Sequence, residues 1–587
     1  MKFLLVAINA KYIHSNLAVY SLKAYAEAYL SETALENVQI EIAEYTINQY
    51  KEEILQDIYT RKPDAVGFSC YIWNIGIIKD VVNDYKKICP QTDIWVGGPE
   101  VSYNIEETLN INKAISYVMY GEGEKIFEQV INAYAEDNLT NQIHEINGLA
   151  YRKNGEIKIN RAMPLLDLSE IPFVYENMRD FENKIVYYET SRGCPFSCSY
   201  CLSSIDKQLR FRNLELVKKE LKFFIDNKVS QVKFVDRTFN CNHRHAMEIW
   251  KFIYENDNGV TNFHFEIAAD IMTEEEIELI AKMRRGLIQL EIGVQSVNGE
   301  TLQSINRKTS IEKIEHVTNK IKKHGNIHQH LDLIAGLPYE DYYSFGKSFN
   351  EVYAMKPDQL QLGFLKVLHG SEIERNAERY GLVYSDKPPY EVLQTRWLGF
   401  DEILQLKMIE EVVEIYYNSF QFTNTIRYLE KEFESAFSMF ETLGKFYKER
   451  SRNGEKHSRV TRYEILLDFC RTYAKARRYT EGKWTDKLSY SELLTLDFYL
   501  RENAKTRPKF ASDISNYKKV IKDFYKSDRA KLILAGYDDY DSRQTEKMTH
   551  VEVFGSQKGE KIFVLFDYKE RNPLNKEAKI EIIDIEG

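Results

Sequence analysis

The sequence predicts an α/β protein built in three parts. These are a doubly wound parallel sheet at the N-terminus, a second run of parallel strand–helix units, and a mostly helical C-terminal region ending in a small antiparallel sheet. Three observations predict it. Over residues 1–140, the apolar runs KFLLVAI, VQIEIAEY, DAVGFSCY, DIWVGGP and AISYVMYGEGE alternate with helical patterns, as in a doubly wound sheet. Over 185–375 the alternation resumes with KIVYYE, QVKFVDRTF, FHFEIAAD, LIQLEIGVQS, HQHLDLIAGLP and DQLQLGFLKVL. From 390 to 530 long amphipathic stretches rich in Lys, Arg, Tyr and Phe dominate, before THVEVFG, KIFVLFDY and AKIEIIDI return to strand alternation.

Each part has a local justification. A chain of 587 residues is too long for a single core. In the first part, helices such as LAVYSLKAYAEAYL and IGIIKDVVNDYKKI separate the strands, and the small residues fall at strand ends: Ser69, Gly97-Gly98-Pro99 and Gly121-Glu122-Gly123-Glu124. Ligands of such sheets sit at those carboxyl ends. Residues 141–184 read as a connector, with a hairpin turning at Asn154-Gly155 and then an extended, Pro-interrupted stretch. The region 376–587 has no second cluster motif and no phosphate-binding loop.

Composition narrows the function. With 43% hydrophobic and 29% charged residues, wholesale disorder is excluded. The net charge of −10 argues against a generally basic nucleic-acid coat. MKFLLVAINAKYIHS reads as a buried first strand rather than a signal peptide, and no apolar run has the length of a membrane span. The cysteines outside one cluster, Cys70, Cys89, Cys241 and Cys470, are scattered and form no paired framework. The expected setting is a reduced cytoplasm.

The cluster is SRGCPFSCSYC, residues 191–201. Cys194, Cys198 and Cys201 are three of only seven cysteines in the chain. Structural zinc takes ligand sets that add up to four, and no obvious fourth lies near; Cys241 and His243 are candidates by residue type alone. Iron–sulfur clusters are held by thiolates. A 4Fe-4S cluster held by three thiolates keeps one iron open for a substrate.

CxxxCxxC with an aromatic residue before its last cysteine, Tyr200-Cys201, resembles the signature of radical SAM enzymes. The resemblance extends over about 185–375. QVKFVDRTFN resembles the second strand of that barrel, LEIGVQS the fourth-strand segment near the SAM ribose and amino acid, and SINRKT the basic turn after it. LIAGLP resembles the fifth-strand glycine segment beside the adenine, and LQLGFLKVLHGS the sixth strand. The resemblance implies a partial (β/α)6 TIM-like barrel in which Cys194, Cys198 and Cys201 hold the cluster. It implies that S-adenosyl-L-methionine (SAM) chelates the open iron and is cleaved by one electron to a 5'-deoxyadenosyl radical. Tyr200, Glu291, Gln295, Ser296, Arg307 and Gly336 are the residues it places at SAM. It also implies an electron donor such as flavodoxin or ferredoxin.

A Rossmann-like domain ahead of such a core resembles the cobalamin-binding domain of the cobalamin-dependent radical SAM family. Ser69 and Gly97-Gly98 match that fold's Ser and Gly-Gly positions, and Gly121 and Glu122 fall at the next strand end. Small residues there let the backbone approach the nucleotide tail. Members with a histidine below the cobalt carry Asp-x-His-x-x-Gly after the first strand. This chain has NAKYIHSN, with His14 but neither the aspartate nor the glycine, so the resemblance implies base-off cobalamin without a histidine lower ligand. Trp73 and Tyr12 are candidates to cover that face, each weighed against an aromatic packed in the sheet.

The basic stretch Lys445–Lys483, with Arg450, Arg452, Arg459, Arg462, Arg471, Arg477 and Arg478 among aromatics, has two readings. One is a phosphate-gripping surface; the favoured one is a solvated helical face with stems covering tyrosines. The region resembles a C-terminal extension, of no settled role, found in one subgroup of the cobalamin family. The expected activity is methylation of an unactivated carbon through methylcobalamin, on a small-molecule or macromolecular substrate. The alternatives are a non-methylating cyclisation, rearrangement or oxidation, a tRNA modification, and a sensor without turnover.

Overall fold

In the computed structural model, residues 1–451, 457–474, 483–537, 539–555 and 561–585 are described. The chain divides into two compact units, one of Met1–Ile327, Ile334–Asp341 and Gly363–Gly399, the other of His328–Leu333, Tyr342–Leu362 and Phe400–Gly587.

The first unit opens with β1 (Lys2–Asn9), β2 (Gln39–Thr46), β3 (Ala65–Ser69), β4 (Asp93–Gly97) and β5 (Tyr117–Met119). They pair in parallel in the order β2-β1-β3-β4-β5, a doubly wound order that reverses between β1 and β3. The two-residue period of β1 decides which helices cover which face. Phe3, Leu5 and Ala7 enter a core with Phe127, Val130 and Ile131 of the helix Gly123–Ala135. Leu4, Val6 and Ile8 enter another with Ile54 and Ile58 of Lys51–Arg61, and Ile78, Val81 and Val82 of Ile75–Ile88. Each such side chain removed from water contributes about 1.5–3 kcal/mol.

The hairpin read from Asn154-Gly155 forms as β6 (Leu149–Lys153) and β7 (Glu156–Ile159), with both turn residues at positive φ, 53° and 83°. It does not lie apart in a connector. It pairs antiparallel with β5 and extends the first sheet to seven strands. The cause is burial: Leu149 and Tyr151 complete one core and Ala150 the other.

The second sheet comprises β8 (Val186–Tyr188), then, after the two-stranded pair β9 (Ser191–Arg192) and β10 (Arg210–Phe211), the strands β11 (Gln231–Phe234), β12 (Asn262–Ile267), β13 (Ile288–Gln295), β14 (His328–Ala335) and β15 (Gln359–Phe364). Its order is β15-β14-β13-β12-β11-β8, and β8, β11, β12 and β13 are joined in parallel. This is the partial (β/α)6 arrangement. Along β13, Ile288, Leu290, Ile292 and Val294 are buried, while Gln289, Glu291, Gly293 and Gln295 stay half-exposed on the other face. Between 383 and 394 the chain forms a short antiparallel pair, β16 (Val383–Tyr384) and β17 (Val392–Gln394), in place of a helix.

The second unit is mostly helical. Its longer helices include Phe400–Val413, Ala436–Arg450, Arg459–Tyr473 and Tyr490–Arg501. It ends in the antiparallel sheet of β18 (Thr549–Gly555), β19 (Lys561–Arg571) and β20 (Ala578–Ile583). Several described residues of its basic stretch have internal partners. Lys445 pairs with Glu441 at 2.9 Å, Arg471 with Asp468 at 3.3 Å and Arg459 with Glu502, and the Arg450 guanidinium lies 3.3 Å from the Phe446 ring centre. Arg452, Arg477 and Arg478 lie outside the described residues. Among the described residues, no helix is long and apolar enough to cross a membrane.

Candidate functional site: a three-thiol loop beside a doubly wound sheet

The cysteine loop leaves β8 and is shaped by backbone constraints. Gly193 has φ +88°, and a Cβ there would come within 2.6 Å of the Gln208 carbonyl oxygen, so glycine is required on both counts. The Cys194 N–H donates to the Asp206 carbonyl at 3.0 Å, Ser199 N–H to Ile305 at 2.9 Å and Cys201 N–H to Cys198 at 3.1 Å. Cys194 and Cys198 are buried and Cys201 is half-buried. The stem is held by Asp236, wholly buried just after β11. Its carboxylate accepts from the Thr190 N–H at 3.0 Å, the Thr190 hydroxyl at 2.6 Å and the Ser191 hydroxyl at 2.6 Å. Burial pushes its pKa up to about 6, against the pull of those hydrogen bonds.

Arg307 faces the thiols. Its Nη1 lies 3.6 Å from Cys198 Sγ and 3.4 Å from the Tyr200 hydroxyl, while Nη2 donates to the Gly293 carbonyl at 2.5 Å. Burial works against its charge, but Tyr200 and Cys198 more than offset this and raise its pKa. Three thiols on one rigid loop, with a guanidinium against one of them, suit a thiolate-held cluster: the cation stabilises the deprotonated ligands.

The other residues expected at SAM divide. Tyr200, Arg307 and the Gly293 carbonyl stand together at Cys198. Gln295 ends β13 at φ +74°, a strained conformation for a side-chain-bearing residue, and a Cβ on Gly293 would collide with its amide. Glu291 is engaged elsewhere. It lies 3.0 Å from Lys233 and 3.0 Å from His264; burial opposes its charge, and these two partners outweigh it, holding its pKa at about 2. Ser296 is buried and donates to Glu340 at 2.6 Å. Gly336, at φ +87°, packs against Val392, which a Cβ would approach to 2.6 Å.

The carboxyl edge of the first sheet is built from amides and glycines. At the β1/β3 reversal, Asn74 is wholly buried and donates to the Ile8 carbonyl at 3.0 Å and the Ser69 carbonyl at 2.9 Å. Ser69 accepts from Asn16 at 3.0 Å. Gly98 has φ +110°, and a Cβ would come within 2.5 Å of the Cys70 carbonyl; on Gly97 it would meet the Met119 carbonyl at 3.3 Å, and on Gly121 it would point into open space. Glu122 carries two guanidiniums, Arg210 at 2.6 Å and Arg192 at 3.5 Å. Trp73 stacks on Tyr71 with ring centres 4.4 Å apart, and its indole donates to Ile8; Tyr12 is 70% exposed. An edge where backbone comes close, with open space beside it, suits a bulky nucleotide-tailed group such as cobalamin.

The loop after β1 also reaches the second sheet. Ile185 N–H donates to the Ile13 carbonyl at 2.7 Å, the Ser15 hydroxyl to the Ile185 carbonyl at 3.0 Å, and His14 Nδ1 lies 2.5 Å from the Tyr187 hydroxyl. Burial, with Lys11 and Lys233 nearby, lowers the His14 pKa.

Sequence reasoning passed over Asp236, Lys233, His264 and Glu340. Asp236 carried the clearest available signal, a carboxylate at the carboxyl end of a predicted parallel strand. The partners of Glu291 and Ser296 come from other strands and needed the three-dimensional register.

Comparison with known proteins agrees with this architecture. Residues 4–131 match the B12 binding domain family, 188–352 the radical SAM superfamily, and 378–569 a family described as protein of unknown function, DUF4080. An uncharacterized methyltransferase of Pyrococcus horikoshii is 25% identical over 53% of this chain and 69% of its own length. The cobalamin-dependent radical SAM methyltransferase TokK of Streptomyces tokunonensis is 23% identical over 63% of this chain and 57% of its own. The solved structure of the cobalamin-dependent S-adenosylmethionine radical enzyme OxsB, with aqua-cobalamin and S-adenosylmethionine bound, superposes with a TM-score of 0.57 at 16% identity, covering 92% of this chain and 82% of that one. At that identity the likeness is one of fold. The chain is an enzyme whose radical SAM domain follows a B12 binding domain and precedes a DUF4080 region.

Proposed function

We propose that the protein is a cobalamin-dependent methyltransferase acting on an unactivated carbon. When bound, the cluster with SAM supplies a 5'-deoxyadenosyl radical and cobalamin supplies the methyl group. Cys194, Cys198 and Cys201 hold the cluster, and Arg307 keeps positive charge at Cys198. Tyr200 and Gln295 lie where SAM is expected, and Ser69, Gly97, Gly98 and Gly121 form the cobalamin edge. Glu291, Ser296 and Gly336 act one step removed, by ordering the half-exposed face of β13 and the turn after β14. The observation that carries the reading is the joining of the two edges in one compact unit, through Ile185–Ile13, His14–Tyr187 and Arg192–Glu124. Methyl transfer to a radical needs the two cofactors beside one substrate pocket.

Base-off cobalamin without a histidine beneath the cobalt rests on NAKYIHSN, in which His14 lacks the flanking aspartate and glycine. A cytoplasmic setting, with electrons from a flavodoxin or ferredoxin, follows from the cluster's need for a reductant. The test is anaerobic incubation of reconstituted protein with SAM and dithionite. Release of 5'-deoxyadenosine with cobalamin bound supports the proposal. Protein that captures flavin and never cobalamin contradicts it.

A further inference from the structure

The segment Gly121-Glu122-Gly123-Glu124, which runs from the turn after β5 into the first turn of the helix Gly123–Ala135, does more than edge the first sheet: its two carboxylates reach the stems of the cysteine loop. Arg192 and Arg210 face each other across the β9–β10 pair, one on each side of that loop. Like charges directly opposite are unfavourable, so their placement needs carboxylates between them. Glu122 meets both, with Arg210 at 2.6 Å and Arg192 at 3.5 Å. Glu124, 6% exposed, takes Arg192 at 2.5 Å, and Glu189 takes the same guanidinium at 2.9 Å. Arg210 also donates to the Leu166 carbonyl at 2.9 Å and pairs with Asp206 at 3.1 Å, and Asp206 in turn accepts from the Cys194 N–H through its carbonyl. The ion pairs thus run from the end of β5 to the backbone that carries the first cysteine.

We propose that Glu124 and Arg192 are positioning residues: their ion pair fixes the start of the helix after β5 to the stem of the cysteine loop and so sets the separation of cobalamin and cluster. Burying two charges is costly compared with apolar packing, and a buried pair is best justified where register matters. Arginine suits the task because its planar fork meets two carboxylates in one geometry. The inference rests on the proposed reading that both cofactors bind this chain.

The experiment uses full-length protein reconstituted with iron, sulfide and hydroxocobalamin, then reduced so that cluster and cobalt are both paramagnetic. The readout is the dipolar broadening of the cobalt(II) resonance by the cluster. Glu124→Gln is expected to keep wild-type iron and cobalamin contents while the broadening changes about twofold. Glu124→Asp should fall between, and Glu156→Gln, which breaks an exposed pair with Lys158 on the β6–β7 hairpin, should match wild type. Wild-type broadening in Glu124→Gln overturns the inference; wild-type protein that takes up no cobalamin overturns the functional reading instead. If Glu124→Gln does not fold, Arg192→Lys, which keeps the charge and loses the fork, carries the same expectation. Hydrogen exchange of the cofactor-free protein gives a second reading: faster exchange confined to 121–124 and 191–210 supports the inference, and unchanged exchange there counts against it.

Discussion

The two edges of the first unit proposed to hold cofactors are built from different materials. The cysteine loop presents side-chain chemistry: three thiols, the Arg307 guanidinium 3.6 Å from one of them, and Asp236 bracing the stem. The carboxyl edge of the first sheet presents shape: Gly97, Gly98 and Gly121, with Asn74 and Ser69 fixing the backbone. A cluster is held by covalent ligands, so its site must be side chains at fixed spacing. A large nucleotide-tailed group is held by complementary surface, so its site is mostly space left by absent side chains.

The largest effect that would sharpen this contrast is from Cys198→Ala. It should abolish SAM cleavage and deplete iron, while cobalamin uptake, followed by absorption, stays at the wild-type level. Cleavage retained would mean the thiols are not cluster ligands. The mirror experiment is Gly98→Ala. Its φ of +110° and the 2.5 Å approach to the Cys70 carbonyl predict about 1–3 kcal/mol of strain and lost cobalamin binding, with iron content kept. Cobalamin titration alongside iron analysis checks both halves. Arg307→Gln should lower SAM cleavage by about 10²-fold, leaving cobalamin uptake intact, as measured by 5'-deoxyadenosine release.

Smaller effects test the supporting residues. The folded-state pKa of Glu291 is depressed to about 2 from an ordinary 4.5, so its pairing with Lys233 and His264 contributes stability above about pH 4.5 that is lost as pH falls through about 2. Denaturant melts over that window should show a shallower acid dependence in Glu291→Gln. The smallest effect is His14→Ala. Losing the Tyr187 hydrogen bond costs about 1 kcal/mol, and the cobalamin absorption spectrum should not change. A changed cobalt spectrum would make His14 a ligand.

How much was legible in the sequence follows the same division. CxxxCxxC announces itself because cluster ligation fixes both residue type and spacing. The strand–helix alternation is equally plain, since KFLLVAI and DAVGFSCY must be apolar on two faces. Gly98 is visible as a glycine, but its positive φ and its contact with Cys70 come from β3 and β4 lying side by side. The hairpin at Asn154-Gly155 is readable from its turn, whereas its docking on β5 depends on Leu149 and Tyr151 finding the first sheet's core. Glu291 and Glu122 show the limit best. The partners of both come from distant segments, Lys233 and His264 in one case, Arg192 and Arg210 in the other. Pairings separated by tens of residues leave no local pattern.

The central claim is that the two edges serve one methyl transfer. The most direct measurement is mass spectrometry of extracts from cells with and without the protein, grown on methionine labelled in its methyl group. The account predicts a compound that gains one labelled methyl only when the protein is present and that disappears in Cys198→Ala. Protein that releases 5'-deoxyadenosine from SAM while no compound in the extract acquires the label would contradict it.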